Sequence, residues 1–209
     1  MSGRVIAITG AASGIGLATA RLSSSRGIIV SLADYQEKAL TKIVEKINGD
    51  GACAIGTVVD VRDKNHVSNW IRKTVERYGR LDGAANIAGI SGRRMAPIQD
   101  LTDEEWDRVI NINQRGIFNC LRAQVPYLNN GASVVNSTRI RCNVICPGRM
   151  GTQITKAPID SAQETNLSHI PMATLGHPDK VAHLNEWLIS PRSSYVTGSV
   201  SSIDGGWTC

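Results

Sequence analysis

The run Thr9-Gly10-Ala11-Ala12-Ser13-Gly14-Ile15-Gly16 offers the first chemistry in this sequence. Glycines at 10, 14 and 16 let a backbone turn tightly and approach a pyrophosphate, and a helix starting there presents free N–H groups and a positive dipole end. A glycine-rich loop alone is weak, because many turns look similar. Here it follows a short β-branched run, Val5–Thr9, and precedes a helical stretch from Leu17 to Arg26 that stops at Gly27. Asp34 ends the next apolar run, 18 residues after Gly16, where an acid should accept hydrogen bonds from a ribose diol. The plainer reading of Asp34 is a solvated acid at a strand end. Asn113 stands seven residues after Trp106 and three after Ile110, on the apolar stripe of a long helix. A polar amide there needs partners, so Asn113 is either a satisfied core asparagine or a group that holds an ordered water.

Such residues must be carried by ordered elements, and the chain is long enough to supply them. Its 209 residues argue for a single domain spanning 1–209 with a full core. Hydrophobic residues at 42% and charged residues at 20% exclude disorder and collagen-like repeats. After Val5–Thr9, apolar runs at Ile28–Ala33, Ala52–Val59 and Leu81–Asn86 read as strands. Between them, Leu40, Ile43, Val44 and Ile47 recur at helical spacing, as do Val67, Trp70, Ile71, Thr74, Val75 and Tyr78. Thr102 with Glu105 makes a capping box for the long helix. Asn129-Asn130-Gly131 reads as a turn into a fifth strand at Ser133–Ser137, and Arg141–Ile145 reads as a sixth. A helix from Pro178 through Leu188 and a last strand at Ser199–Ile203 complete the chain. Alternation of strand and helix specifies an α/β fold: one doubly wound, Rossmann-type domain, with a parallel sheet and helices on both faces.

The net charge of +5 is spread along the chain, and its densest pair, Arg93-Arg94, is far short of a nucleic-acid arm, so no nucleic acid is expected as a partner. Five cysteines, Cys53, Cys120, Cys142, Cys146 and Cys209, lack C-x-x-C spacing and read as reduced core thiols. Cys142 and Cys146, four apart in a strand, should share a face. His66, His169, His177 and His183 have no acid or cysteine at ligand spacing, so no metal is expected. No apolar run approaches the ~20 residues of a membrane span, and Met1–Arg4 is not a signal peptide. A cytoplasmic protein without a membrane partner is the expectation.

The alternation fails once. The fifth strand ends near Ser137 and the sixth begins near Ile140, whereas neighbouring parallel strands need a crossover of at least about 10–12 residues. Either the two strands are antiparallel, or residues between Thr138 and Arg139 are missing.

The spacing Thr-Gly-x-x-x-Gly-Ile-Gly resembles the short-chain dehydrogenase/reductase family, and the likeness runs nearly end to end. Asn86-Ile87-Ala88-Gly89 is similar to the family's Asn-Asn-Ala-Gly, and Asp60-Val61 to the pair that lies against adenine. Asn111-Ile112-Asn113 with Gly116 resembles the long-helix motif, whose second Asn is catalytic in the family. Pro147-Gly148-Arg149-Met150-Gly151-Thr152 matches the turn that flanks nicotinamide, and Val196-Thr197-Gly198 with Ile203-Asp204-Gly205-Gly206 resembles the C-terminal signature. The resemblance implies hydride transfer between nicotinamide and a small-molecule secondary alcohol or ketone. It implies a cofactor site made by Gly10, Ser13, Gly14, Ile15, Gly16, Asp34, Asp60, Val61, Asn86, Ala88, Gly89, Pro147, Gly148, Met150 and Thr152, with Asn113 as the catalytic residue. The Asp34 carboxylate should repel a 2′-phosphate, and neither Ala12, Ser13 nor Tyr35 is a cation, which favours NAD(H) over NADP(H); distant arginines such as Arg62 could still reach in. The loops Ile90–Leu101 and Gly151–Gly176 are expected on the substrate side.

One departure is plain. The family's Ser after the fifth strand and its Tyr-x-x-x-Lys have no counterpart: Tyr35, Tyr78, Tyr127 and Tyr195 all lack a Lys four residues on. Val135-Asn136-Ser137-Thr138 resembles the run into the catalytic Ser, and Arg139-Ile140-Arg141-Cys142-Asn143 resembles the start of the sixth strand. Geometry and resemblance thus place a gap at the same peptide bond. A homotetramer or homodimer is implied only if the missing helix exists, and a nucleotide-binding protein without redox activity, either shortened or using the pocket for non-redox chemistry, is the alternative.

Overall fold

The computed structural model describes residues 3–92, 97–133, 140–153 and 167–208. Five parallel strands form the main sheet: β1 (Val5–Thr9), β2 (Ile29–Asp34), β3 (Ala54–Val58), β4 (Leu81–Asn86) and β5 (Leu128–Ser133), in the order β3-β2-β1-β4-β5. Every residue of β1 is buried, as expected of a central parallel strand covered on both faces. Because β2 lies on one side of β1 and β4 on the other, the strand order reverses beside β1. A crevice opens at the carboxyl ends of strands at such a point.

Helices α1 (Gly14–Ser25) and α2 (Glu37–Gly49) follow β1 and β2, and α3 (Lys64–Tyr78) follows β3. A long helical run then consists of α4 (Asp103–Ile110), a π-helical turn at Asn111–Arg115, and α5 (Gly116–Gln124). On one face Ile6, Ile8, Val30 and Leu32 pack with Ala20 of α1 and with Leu40 and Ile47 of α2. Ile189 at the end of α6 (Pro178–Ile189) joins the same cluster. On the other face Ala7, Ala33 and Leu81 pack with Val67, Trp70 and Ile71 of α3 and with Cys120 and Ala123 of α5. Trp70 is fully buried, and its indole N–H donates to Ser31 Oγ at 2.8 Å. Asp63 caps α3 through the N–H groups of Asn65 and His66, and Gly79, at φ +72, ends it. Thr102 accepts from Glu105 N at 3.3 Å, so the expected cap forms. The Glu105 carboxylate also pairs with Arg108.

The second half departs from expectation. Asn129, Asn130 and Gly131 lie inside β5 and do not form a turn, and β5 ends at Ser133. Leu81 pairs with Leu128 and Gly83 with Ser133, so five steps of β5 face two of β4. Gly131 at φ +82 permits this irregularity, which absorbs the turn-type residues. The rest of the expected fifth strand, 134–137, lies outside the described residues. Next come β6 (Asn143–Pro147) and β7 (Ser199–Ile203), which pair in parallel as a separate two-stranded sheet. An isolated parallel bridge joins Ser133 to Arg141. The antiparallel option is therefore not adopted where the chain is described, and ending β5 early lengthens the connection. Cys142 and Cys146 do not share an environment: Cys142 precedes β6 and is buried, its N–H bonded to Thr197 Oγ1, while Cys146 is exposed. Burial pushes the Cys120 thiol up to about 12, which leaves it a packing residue. Among the described residues, no helix is long and apolar enough to cross a membrane.

Candidate active site

A cleft of about 630 Å³ lies at the carboxyl ends of β1, β2 and β4, a volume typical of small-molecule sites. The turn after β1 forms one wall with Gly10, Ser13, Gly14, Ile15 and Gly16. Gly10 has φ +66, and a Cβ there would stand 3.0 Å from the Ala88 backbone. A Cβ on Gly16 would overlap the Gly10 carbonyl. The turn is therefore packed against itself and the β4 loop, and only glycine fits both positions. Helix α1 opens on this wall with no side-chain cap from Ser13 and no acid in its first turn. Its first N–H groups have no intrahelical acceptor, so the cradle suits a diphosphate. Thr9 Oγ1 accepts from Ile87 N at 2.9 Å and Ala88 N at 3.1 Å, which fixes the loop carrying Ala88 and Gly89 into the cleft.

Asp34 lines the cleft at the end of β2 and is only 7% exposed. Its carboxylate accepts from Ala12 N at 2.9 Å and Gln36 N at 3.0 Å. One such bond per oxygen leaves lone pairs for a further donor. Asp60 and Val61 line the cleft too. The Asp60 carboxylate accepts from Arg62 Nε and, at 2.6 Å, from Arg62 Nη2. Its hydrogen bonds from Arg62 hold the Asp60 carboxyl below the usual carboxylate range. From the second sheet come Pro147, Gly148, Met150 and Thr152, with Thr152 Cγ2 standing 3.3 Å from where a Cβ of Gly14 would be.

Two residues of the expected site are not in the cleft wall. Asn86 exchanges two amide hydrogen bonds with Gln124 of α5, at 3.0 and 2.9 Å. As the last residue of β4 it ties the sheet to the helix layer. Asn113 lies in the π-helical turn, where its amide accepts from Ile90 N and donates to Ile90 O, both at 2.9 Å. Of the two readings of this amide, the satisfied one describes its protein contacts. It anchors the start of the loop after β4, of which 93–96 lie outside the described residues; so do 154–166 of the other expected substrate-side segment. The cleft also takes in residues the motifs do not name, among them Tyr35, Gln36, Arg62, Arg108 and Ile112. Tyr35, Gln36 and Arg62 each sit within two residues of a named acid, a proximity that could have marked them.

The family model for short chain dehydrogenase matches residues 4–138. The chain belongs to the short-chain dehydrogenase family. A second model, enoyl-(acyl carrier protein) reductase, matches residues 137–208. Among curated relatives, the short-chain dehydrogenase/reductase aba4 of Botryotinia fuckeliana is 35% identical over 252 aligned positions, covering 99% of this chain and 97% of the relative. The 3-oxoacyl-[acyl-carrier-protein] reductase FabG of Thermotoga maritima is 35% identical over 243 positions, covering 99% and 98%. Among solved structures, a 3-ketoacyl-ACP reductase from Sinorhizobium meliloti superposes with a TM-score of 0.85 at 31% identity, covering 97% and 98%. The 252 aligned positions exceed the 209 residues of this chain by 43. At least that many positions of the Botryotinia alignment have no counterpart here. The two family models meet at 137–138, beside the bond where the sequence breaks its alternation.

Proposed function

We propose that the chain binds NAD(H) across the carboxyl edge of the five-stranded sheet, and that the cleft serves hydride transfer to or from the carbon of a secondary alcohol or ketone. The observation that carries this reading is the buried Asp34 carboxylate, held by the Ala12 and Gln36 N–H groups on the same cleft wall as the glycine cradle. The glycine turn would receive the diphosphate, and Asp34 the ribose diol. When bound, the cofactor supplies the carbon that gives or takes the hydride. NAD(H) is favoured over NADP(H) because Asp34 repels a 2′-phosphate and Arg62 is already engaged by Asp60. The oxoacyl-reductase relatives support a carbonyl compound as substrate.

A second reading has its own support. The chain carries no Tyr-x-x-x-Lys, and the aligned positions it lacks outnumber a helical crossover. If the crossover between 138 and 139 is absent from the protein, it is a single-domain cofactor-binding protein that does not turn substrate over. Assembly into a homotetramer or homodimer is tied to the same crossover.

Asp34→Ala tests the first reading. NADH affinity by titration calorimetry should fall by about 1.5–3 kcal/mol, the scale of hydrogen bonds to a charged group; unchanged affinity ends the assignment. Intact mass separates the two readings. A mass of 22.5 kDa with NADH binding but no ketone reduction supports the second, and a mass several kDa larger with ketone reduction supports the first.

A further inference from the structure

The second sheet sends the turn from Pro147 to Thr152 into the cleft, and glycines make room for it on two sides. A Cβ on Gly148 would stand 2.6 Å from Asp204 Cβ, so the turn sits directly against the end of β7. Its other flank meets Gly176, two residues before α6. Gly151 N–H donates to Gly176 O and Gly176 N–H donates to Arg149 O, both at 2.9 Å, a parallel bridge that straddles Met150. Met150 is only 4% exposed, and its side chain lies across Gly176: a Cβ there would overlap Met150 Sδ and stand 2.7 Å from its Cε. Gly176 is not among the glycines at positive φ, so its backbone does not call for glycine; the space does. The Met150 backbone is fixed from both sides of the bridge. Its thioether end is the part that can yield, and the cleft that Met150 lines is the open space beside it.

We propose that Gly176 sets the room at the nicotinamide half of the cleft: by carrying no side chain, it lets the Met150 thioether lie back on the chain instead of entering the space that the cofactor ring would fill. The proposal rests on the dinucleotide reading above, in which the glycine cradle takes the diphosphate and Asp34 the ribose diol, leaving the wall from Pro147 to Thr152 to the nicotinamide. Gly176 is a positioning residue, since it acts only through Met150. A methyl group added there should be felt by a dinucleotide that carries the ring. ADP-ribose has both ribose groups and the diphosphate without that ring, and should not feel it.

The test is direct binding of NADH and of ADP-ribose, by calorimetry, to the whole chain and its variants. Gly176→Ala should weaken NADH about tenfold, the low end of what one extra carbon costs in a packed pocket, and ADP-ribose by less than about threefold. Its melting temperature should stay near that of wild type, because a thioether end moves at little cost. In the Met150→Ala background the added methyl group has room, so Gly176→Ala should weaken NADH there by less than about threefold. A Gly176→Ala protein that folds only together with Met150→Ala supports the same steric relation, and failure of both to fold overturns it. The role of Gly176 also falls, with the dinucleotide site left standing, on any of three results: NADH affinity of Gly176→Ala within about threefold of wild type, an equal loss for both ligands, or a tenfold loss that persists in the Met150→Ala background. No binding of either compound to wild type overturns both.

Discussion

The four strands β1 to β4 and the pair β6–β7 are built from similar residues, yet they end in different environments. In β1 all five residues are buried, and in β4 five of six. Helix layers cover both faces, with Leu40 and Ile47 on one side and Trp70 and Ile71 on the other. In the second pair, Val144 and Val200 face each other across the ladder, yet are 48% and 70% exposed. Ile145, between Val144 and Cys146, is half-buried. Parallel strands are stable when both faces are covered. β1 and β4 satisfy that rule because helices lie on both of their faces, whereas β3, at the edge of the sheet, leaves Val58 48% exposed. In the second region α6 lies between β6 and β7, but it packs against α1 and its Ile189 joins the core of the five-stranded sheet; the step for which no helix is described is the one from β5 to β6. What the comparison teaches is that burial follows helix cover: the glycine turn and Asp34 lie beside the covered strands, and the two family models meet at 137–138, on the way to the less covered pair.

The largest effect that would break this contrast lies in the covered part. Trp70 fills the α3 side of the sheet and satisfies its N–H on Ser31, which in turn bonds Thr74. Trp70→Ala should lower unfolding free energy by about 3–5 kcal/mol in urea titration. A loss under about 1 kcal/mol would mean that this region is packed no better than β6–β7.

A smaller effect tests how the covered sheet is tied at its other end. Asp82 accepts from Val5 N at 2.8 Å and from Arg80 at 2.6 and 2.7 Å. Burial by itself pushes this carboxyl up, but the Arg80 bonds and the Val5 N–H hold it below the ordinary value. A carboxyl lowered in the folded state stabilises fully above its unfolded value, about 3.9. The contribution is lost as pH falls through the folded value. Asp82→Asn should therefore cost about 1–3 kcal/mol at pH 7. The difference from wild type should shrink below about pH 4, measured by thermal unfolding across pH. A pH-independent difference would show that the pair contributes through packing alone.

Legibility in the sequence follows the same divide. β1, β4 and β7 have the bounds that their apolar runs and flanking turn residues suggest, and β2 and β3 differ by one or two residues at each end. The glycine turn and Asp34 could be read because strand, turn and helix follow one another locally. Asn86 and Asn113 could not be assigned partners, since Gln124 lies 38 residues away and Ile90 lies 23 residues away. Arg108 entered the cleft unannounced for the same reason: only the fold brings it to the loop after β4, where it donates to Ser91 O, 17 residues away. β5 misled because Asn-Asn-Gly suits a turn, while Gly131 at positive φ serves an irregular strand equally well.

The smallest effect sharpens the contrast from the other side. If the open face of β6–β7 contributes little, the double substitution Val144→Thr with Val200→Thr removes apolar surface that is already in water. Threonine keeps the β-branch and the strand preference, so the change isolates burial. Stability in urea should move by no more than about 0.5 kcal/mol, and NADH affinity should not change, because neither side chain lines the cleft. A loss above about 1.5 kcal/mol would show the face to be covered in solution. Dependence of that loss on protein concentration would identify the cover as another chain. Independence would identify it as residues of the same chain.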